Sequence, residues 1–237
     1  SRGVAPTALT LHGTDDPDSR TRGCTGVVAL GSLGEGGSLS FDEKKAVLRL
    51  CREALAGRAP LVAGVAAMTT ADAVRLAELG ADTGCEGLMV LPPYVYKGDW
   101  RETRAHFAAV IGATPLPCML YNNPIAYGTD VLPEQMVDLA VSLPNFVAVK
   151  ESSADVRRVT SLRALLGDQL AIFVGVDDLV LEAVQAGAEA LGDFLPPGLT
   201  AKRGLIMRAL AARADEPASQ RQRAELGGRS GPGKEMA

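Results

Sequence analysis

The chain has 237 residues, 47% of them hydrophobic, and a formal net charge of −4 from 24 basic and 28 acidic side chains. That length supports one sizeable core, and a barrel of this size forms a single domain. The charge leaves no basic stripe for nucleic acid, and 4% aromatic content gives no platform for stacked bases. Apolar runs are strand-sized, so no membrane-spanning helix is expected. The N-terminal Ser1-Arg2-Gly3-Val4 lacks the apolar core of a signal peptide, which together with the cysteine usage points to a cytoplasmic protein. Cys24, Cys51, Cys85 and Cys118 form no Cys-x-x-Cys pair, and only His12 and His106 could join them as nitrogen ligands. Free thiols in a reducing compartment are therefore expected, and no metal.

In chain order, 4–9 reads as a strand, followed by the polar, turn-rich segment 12–23. That segment is too short for a crossover helix with its loops. Strands are then expected at 27–31, 61–65, 87–91, 117–121, 146–150, 171–175 and 189–194. Helices are expected between them, at 42–56, 70–79, 100–111, 133–141, 156–166 and 177–186. In 42–56, Ala46, Val47, Leu50 and Ala54 recur with helical period. In 70–79, Thr70-Ala71-Asp72 puts acid in the first turn. Regular alternation of eight strands with helices predicts an α/β fold, a (β/α)8 TIM barrel, over 1–212. The runner-up is an open doubly wound sheet, weakened because no Gly-x-Gly-x-x-Gly opens a helix after the first strand. Residues 213–237 are polar with few apolar side chains and read as a disordered tail.

Active sites of such barrels lie at the C-terminal strand ends. The predicted exits carry Gly31-Ser32-Leu33-Gly34-Glu35, Tyr121-Asn122-Asn123-Pro124, Lys150-Glu151-Ser152-Ser153 and Gly175-Val176-Asp177-Asp178. Lys150 ends an apolar strand and aims its amine at whatever caps it. Burial disfavours an ammonium and leaves a nucleophile capable of imine formation. On that segment alone a solvated lysine is the commoner case. Glycines in 31–37 let backbone amides gather round a carboxylate, or make an ordinary turn. Tyr121 can relay protons or simply fill the core. Asp177 and Asp178 suit either substrate hydroxyls or the N-cap and first turn of the next helix. His106 lies within a helix and reads as packed or surface-exposed.

Gly31-Ser32-Leu33-Gly34-Glu35, Tyr121-Asn122-Asn123-Pro124 and Val149-Lys150-Glu151-Ser152, in this order and spacing, resemble the dihydrodipicolinate synthase / N-acetylneuraminate lyase family over about residues 23–193. The resemblance implies a class I aldolase-type barrel, commonly a homotetramer built from tight dimers. It implies that Lys150 forms the Schiff base with a small-molecule 2-oxo acid such as pyruvate, with no cofactor beyond that covalent imine. Tyr121 matches the proton-relaying tyrosine. Gly31, Ser32, Leu33, Gly34 and Glu35 match the loop that binds the 2-oxo-acid carboxylate. Gly175, Asp177 and Asp178 match positions that touch the distal part of the substrate.

Departures from the lysine-biosynthetic members are informative. Leu33 replaces their second hydroxyl, Val95 their loop tyrosine (between Tyr94 and Tyr96), and Ala126 an arginine that grips a carboxylate. None of these three side chains can relay a proton or pair with an anion. The resemblance therefore favours a dehydratase or deaminase of hydroxylated 2-oxo acids or cyclic imines, such as a hydroxy-pyrroline-carboxylate deaminase, with a 2-keto-3-deoxy acid aldolase close behind. The alternatives are a 4-hydroxy-tetrahydrodipicolinate synthase-type enzyme and, in another class, a non-catalytic relic or carboxylate-binding protein. Against the family pattern, the first helix and the C-terminal helices read as shortened or missing, and Asp193-Phe194-Leu195-Pro196-Pro197 replaces the expected turn.

Overall fold

The computed structural model describes residues 26–32, 36–93 and 97–191. The expected strand 4–9, the connector 12–23, Leu33, Gly34, Glu35, Tyr94, Val95, Tyr96 and the tail 213–237 lie outside the described residues. Within them, seven strands form: β1 Val27–Ala29, β2 Leu61–Val65, β3 Gly87–Val90, β4 Cys118–Asn122, β5 Phe146–Glu151, β6 Ala171–Val174 and β7 Ala190–Leu191. They make one parallel sheet whose spatial order is the chain order. A doubly wound sheet reverses its strand order at a switch point. This sheet does not, and its sequential order is that of a partial (β/α)8 barrel.

Helices α1 Phe41–Leu55, α2 Thr70–Asp82, α3 Trp100–Gly112, α4 Pro124–Tyr127, α5 Pro133–Ser142, α6 Arg157–Leu166 and α7 Val180–Ala186 connect the strands. Their starts follow from local chemistry. Ser40 and Glu43 form a reciprocal capping box at α1, and Asp99 and Glu102 do the same at α3. Thr69 caps α2 by accepting from the Asp72 N–H at 3.1 Å. Pro133 occupies the first turn of α5, where its missing N–H costs nothing. None of the described helices is long and apolar enough to cross a membrane.

Alternation along the strands sorts side chains to two faces. One face packs against the helices and forms the main core, in which Leu61, Leu88, Leu120 and Ile172 meet Phe107 and Leu139. The other carries a smaller cluster of Ala66, Met89, Leu91 and Tyr121, bordered by Val62, Met119 and Tyr127. His106 is packed between elements: Nε2 faces the Leu91 carbonyl at 3.4 Å and Nδ1 the Thr70 hydroxyl at 3.0 Å. Burial holds its imidazole below the ordinary value. Cys51, Cys85 and Cys118 are free and buried, and burial pushes the Cys118 thiol up to about 12.

Two expectations need correction. The helix expected over 177–186 is a 3-10 turn, Asp177–Leu179, followed by the shorter α7. Val176 holds the cap position of that turn without a side-chain capping bond, and both aspartates sit inside the turn rather than at its cap. The short helix α4 was not expected. Asn123 starts it by accepting from the Ala126 N–H at 3.0 Å, Pro124 fills its first turn, and Gly128 ends it with φ of 71°.

Candidate active site

The register between β4 and β5 shifts at Cys118/Met119, and beyond the shift Tyr121 stands opposite Lys150 and Asn122 opposite Glu151. Tyr121 and Lys150 share the face away from the helices, while Asn122 and Glu151 share the helix side. Lys150 is only 4% exposed. Its Nζ lies 4.3 Å from the centroid of the Tyr121 ring. A ring face attracts a cation, so this contact also locates the amine beside the phenol.

Gly175, at the exit of β6, closes the other side. A Cβ there would lie 2.8 Å from Lys150 Cε and 1.8 Å from Ser152 Oγ. The absent side chain is therefore what makes room for both groups. Ser152 is buried, two residues beyond Lys150 and on the same face, and its hydroxyl has no hydrogen-bond partner. That places an unpaired buried hydroxyl next to a buried amine.

Two further hydroxyl contacts line the site. Asn123 Nδ2 donates to the Tyr121 hydroxyl at 3.1 Å. The Tyr127 hydroxyl is hydrogen-bonded to Ser32 Oγ at the exit of β1. The rings of Tyr121 and Tyr127 meet edge to face, with centroids 5.8 Å apart. Gly31 approaches the same face, since a Cβ on it would lie 3.7 Å from Met89 Cε. At Gly36 a Cβ would fall 2.2 Å from the Leu30 carbonyl oxygen, a close backbone approach that glycine alone permits.

The helix side of the same strand ends holds a polar staple. Asn122, fully buried, donates to Glu151 Oε2 at 3.0 Å and Asp130 Oδ1 at 3.3 Å, and accepts from the Val131 N–H at 3.0 Å. Arg158 grips Asp130 with two bonds of 2.6 and 2.7 Å. Burial pushes the Glu151 carboxyl up, against the donors Asn122 and Ser153. The Arg158 hydrogen bonds hold the Asp130 carboxyl below its ordinary value. Backbone bonds complete the staple: Ser152 N–H donates to Asn122 O at 2.8 Å and Gly175 N–H to Glu151 O at 3.0 Å.

Of the residues expected from sequence, Lys150, Tyr121 and Gly175 come together, and Gly31 and Ser32 border them. Leu33, Gly34 and Glu35 lie outside the described residues. Asp177 is half-buried, and Asp178 is exposed at the rim. Ala126, where an arginine would grip a carboxylate, is exposed on α4. Sequence reasoning missed Ser152, Asn123 and Tyr127 as site residues. Ser152 had a signal, the two-residue period from Lys150. Asn123 sat within a quoted motif. Tyr127 had none, because its position depends on the unexpected α4. Among the described residues, no three His, Cys, Asp or Glu side chains gather in a way that could hold a metal ion.

A sequence model of the dihydrodipicolinate synthetase family matches residues 21–192. A 4-hydroxy-tetrahydrodipicolinate synthase from Desulforamulus reducens is 35% identical over 169 residues, which are 71% of this chain and 57% of that protein. The chain thus spans little more than half the length of the curated relatives it matches. The crystal structure of dihydrodipicolinate synthase from Aquifex aeolicus superposes with a TM-score of 0.75 at 27% identity, covering 81% of this chain and 66% of that one. A chloride-inhibited dihydrodipicolinate synthase from Acinetobacter baumannii, solved with pyruvate, gives 0.74 at 28% identity, covering 81% and 66%.

Proposed function

Since the chain belongs to the dihydrodipicolinate synthetase family, we propose that it is a Schiff-base lyase in which Lys150 condenses with the ketone of a 2-oxo acid or the equivalent carbon of a cyclic imine. The observation that carries this is the buried Lys150 amine held against the Tyr121 ring at adjoining strand exits. The amine lone pair forms the C–N bond to that carbon; from a ketone the oxygen departs as water, and from a cyclic imine the ring nitrogen is released as an amine. The resulting iminium draws electrons from the neighbouring C–H or C–C bond. Tyr121 is the proton carrier for these steps, its oxygen fixed by Asn123. Ser32 and the Gly31-to-Glu35 loop take the carboxylate, with Gly175, Asp177 and Asp178 toward the distal end. The lysine is itself the electron sink, so this chemistry needs no added cofactor.

The favoured substrates are hydroxylated 2-oxo acids or a hydroxylated pyrroline carboxylate, from which a β-hydroxyl is lost or a C–C bond is cleaved. Supporting this, the Ala126 methyl offers no charge to a second carboxylate. The second reading, condensation of pyruvate with a carboxylated aldehyde, is supported by the names of the curated relatives. We further propose a closed eight-stranded barrel over 1–212 that works as a homo-oligomer.

The test is borohydride reduction with pyruvate. The expected mass gain falls on the peptide carrying Lys150, and Lys150→Ala removes it. Tyr121→Phe keeps the adduct while turnover drops by about 10²-fold or more, the scale of a lost proton carrier. A folded wild type that never takes up the label is a binder or a relic. Ammonia release from the hydroxylated imine then separates the deaminase from the condensing enzyme.

A further inference from the structure

The segment from Asn123 to Tyr127 reaches two hydroxyls of the site: Asn123 Nδ2 donates to Tyr121, and the Tyr127 hydroxyl bonds Ser32 Oγ. A hydroxyl has one proton to give and two lone pairs with which to accept. When a neighbour donates to its oxygen, its own proton stays available and is polarised for the next acceptor. For Tyr121 the direction is fixed, since an amide N–H can only donate. Between Tyr127 and Ser32, the phenol is the more acidic hydroxyl and its oxygen the poorer acceptor, so the phenol donates. The Ser32 proton is then left to point at a ligand.

We infer that Tyr127 is a positioning residue that sets Ser32 as a dedicated donor to the substrate carboxylate, giving the site its selectivity for the anion over a neutral ketone. This inference rests on the Schiff-base reading, because it needs the ligand anchored at Lys150. The place of Tyr127 agrees with it. The half-buried ring stands edge-on to Tyr121 at 5.8 Å, and α4 carries it across from the exit of β4 to the exit of β1. The chain of donors runs Tyr127 to Ser32 to carboxylate, and its last link is a hydrogen bond to a charged acceptor, the stronger kind.

The experiment compares two probes on the 237-residue chain, pyruvate and methyl pyruvate, by the concentration that half-saturates borohydride trapping on Lys150. The ratio of the two concentrations measures the value of the negative charge. Tyr127→Phe keeps the ring contact and should lower the preference for pyruvate by about three- to tenfold, the range of one hydrogen bond. Ser32→Ala should lower it at least as far, and adding Tyr127→Phe to Ser32→Ala should change it no further, because the two act in series. A merely structural role for Tyr127 would weaken both probes together and leave the ratio where it was, which overturns the inference. Full additivity of the two substitutions also overturns it. A wild type with no adduct at Lys150 removes the Schiff-base reading and this inference with it, whereas an adduct with an unchanged ratio removes this inference alone.

Discussion

A methyl group at position 175 would have to occupy space already held by Ser152 Oγ and Lys150 Cε. Ser152 Oγ would have to rotate away and Lys150 Cε would have to shift, which moves the amine relative to the Tyr121 ring. Gly175→Ala should therefore cost about 1–3 kcal/mol of stability, the usual range for overpacking. It should also lose the pyruvate adduct in protein that still unfolds cooperatively. Adding Ser152→Gly, which removes the nearer obstacle, should restore part of the stability. Urea unfolding and reductive trapping on the single and double variants check this, and wild-type labelling in Gly175→Ala would refute the packing argument. At this scale much was readable in the sequence. Lys150 and Tyr121 end apolar runs whose alternation fixes the face they occupy. Ser152 follows from the same alternation. Tyr127 does not, because its role comes from a bond to a residue 95 positions away.

At the scale of elements, β4 and β5 owe their common ending to Asn122. It serves two carboxylates and one backbone N–H from a position with no access to water. Asn122→Ala leaves the Val131 N–H and the Glu151 carboxyl short of a partner in a buried place. We expect a loss of about 2–4 kcal/mol in urea unfolding, from two unmade buried hydrogen bonds. A loss below about 0.5 kcal/mol, typical of a surface change, would contradict the staple. The strands and helices that sequence reasoning located best have long periodic patterns or strong start signals. The expected 61–65 strand matches β2 Leu61–Val65, and the 100–111 helix becomes α3 Trp100–Gly112. The exits of β4 and β5 run one residue further than expected, to Asn122 and Glu151. Polar side chains ended the apolar runs on paper, yet the hydrogen-bond ladder continues through them because they pair with each other. The one-turn α4 and the split at 177–179 carry too few residues for any period to show.

For the molecule as a whole, stability should fall in two acid windows with different owners. His106 is held below its ordinary value of 6.5, so the unfolded chain binds its proton first. Its contribution is full above about pH 6.5 and is lost as pH falls toward the lower folded-state value. Asp130 is also held low, and its contribution goes only below about pH 4, where the unfolded carboxyl takes up a proton. Glu151, pushed up, works in the opposite sense: its contribution is present below its unfolded value and lost as pH rises through its folded one. Comparing wild type with His106→Gln at each pH cancels the two carboxyls. The difference in melting midpoint should shift against the wild type as pH falls below about 6.5, and a flat difference would remove His106 as the cause.

Strand order that repeats chain order has a kinetic consequence. Every strand from β2 to β6 bonds only to the strands just before and just after it. No distant segment has to be found first, so the loop-closure entropy of each pairing step is that of one βα unit. Tyr121 and Lys150 belong to two such consecutive units. Lys150 and Tyr121 can therefore come into register early, from a stretch of chain shorter than forty residues, before the margins of the sheet are settled.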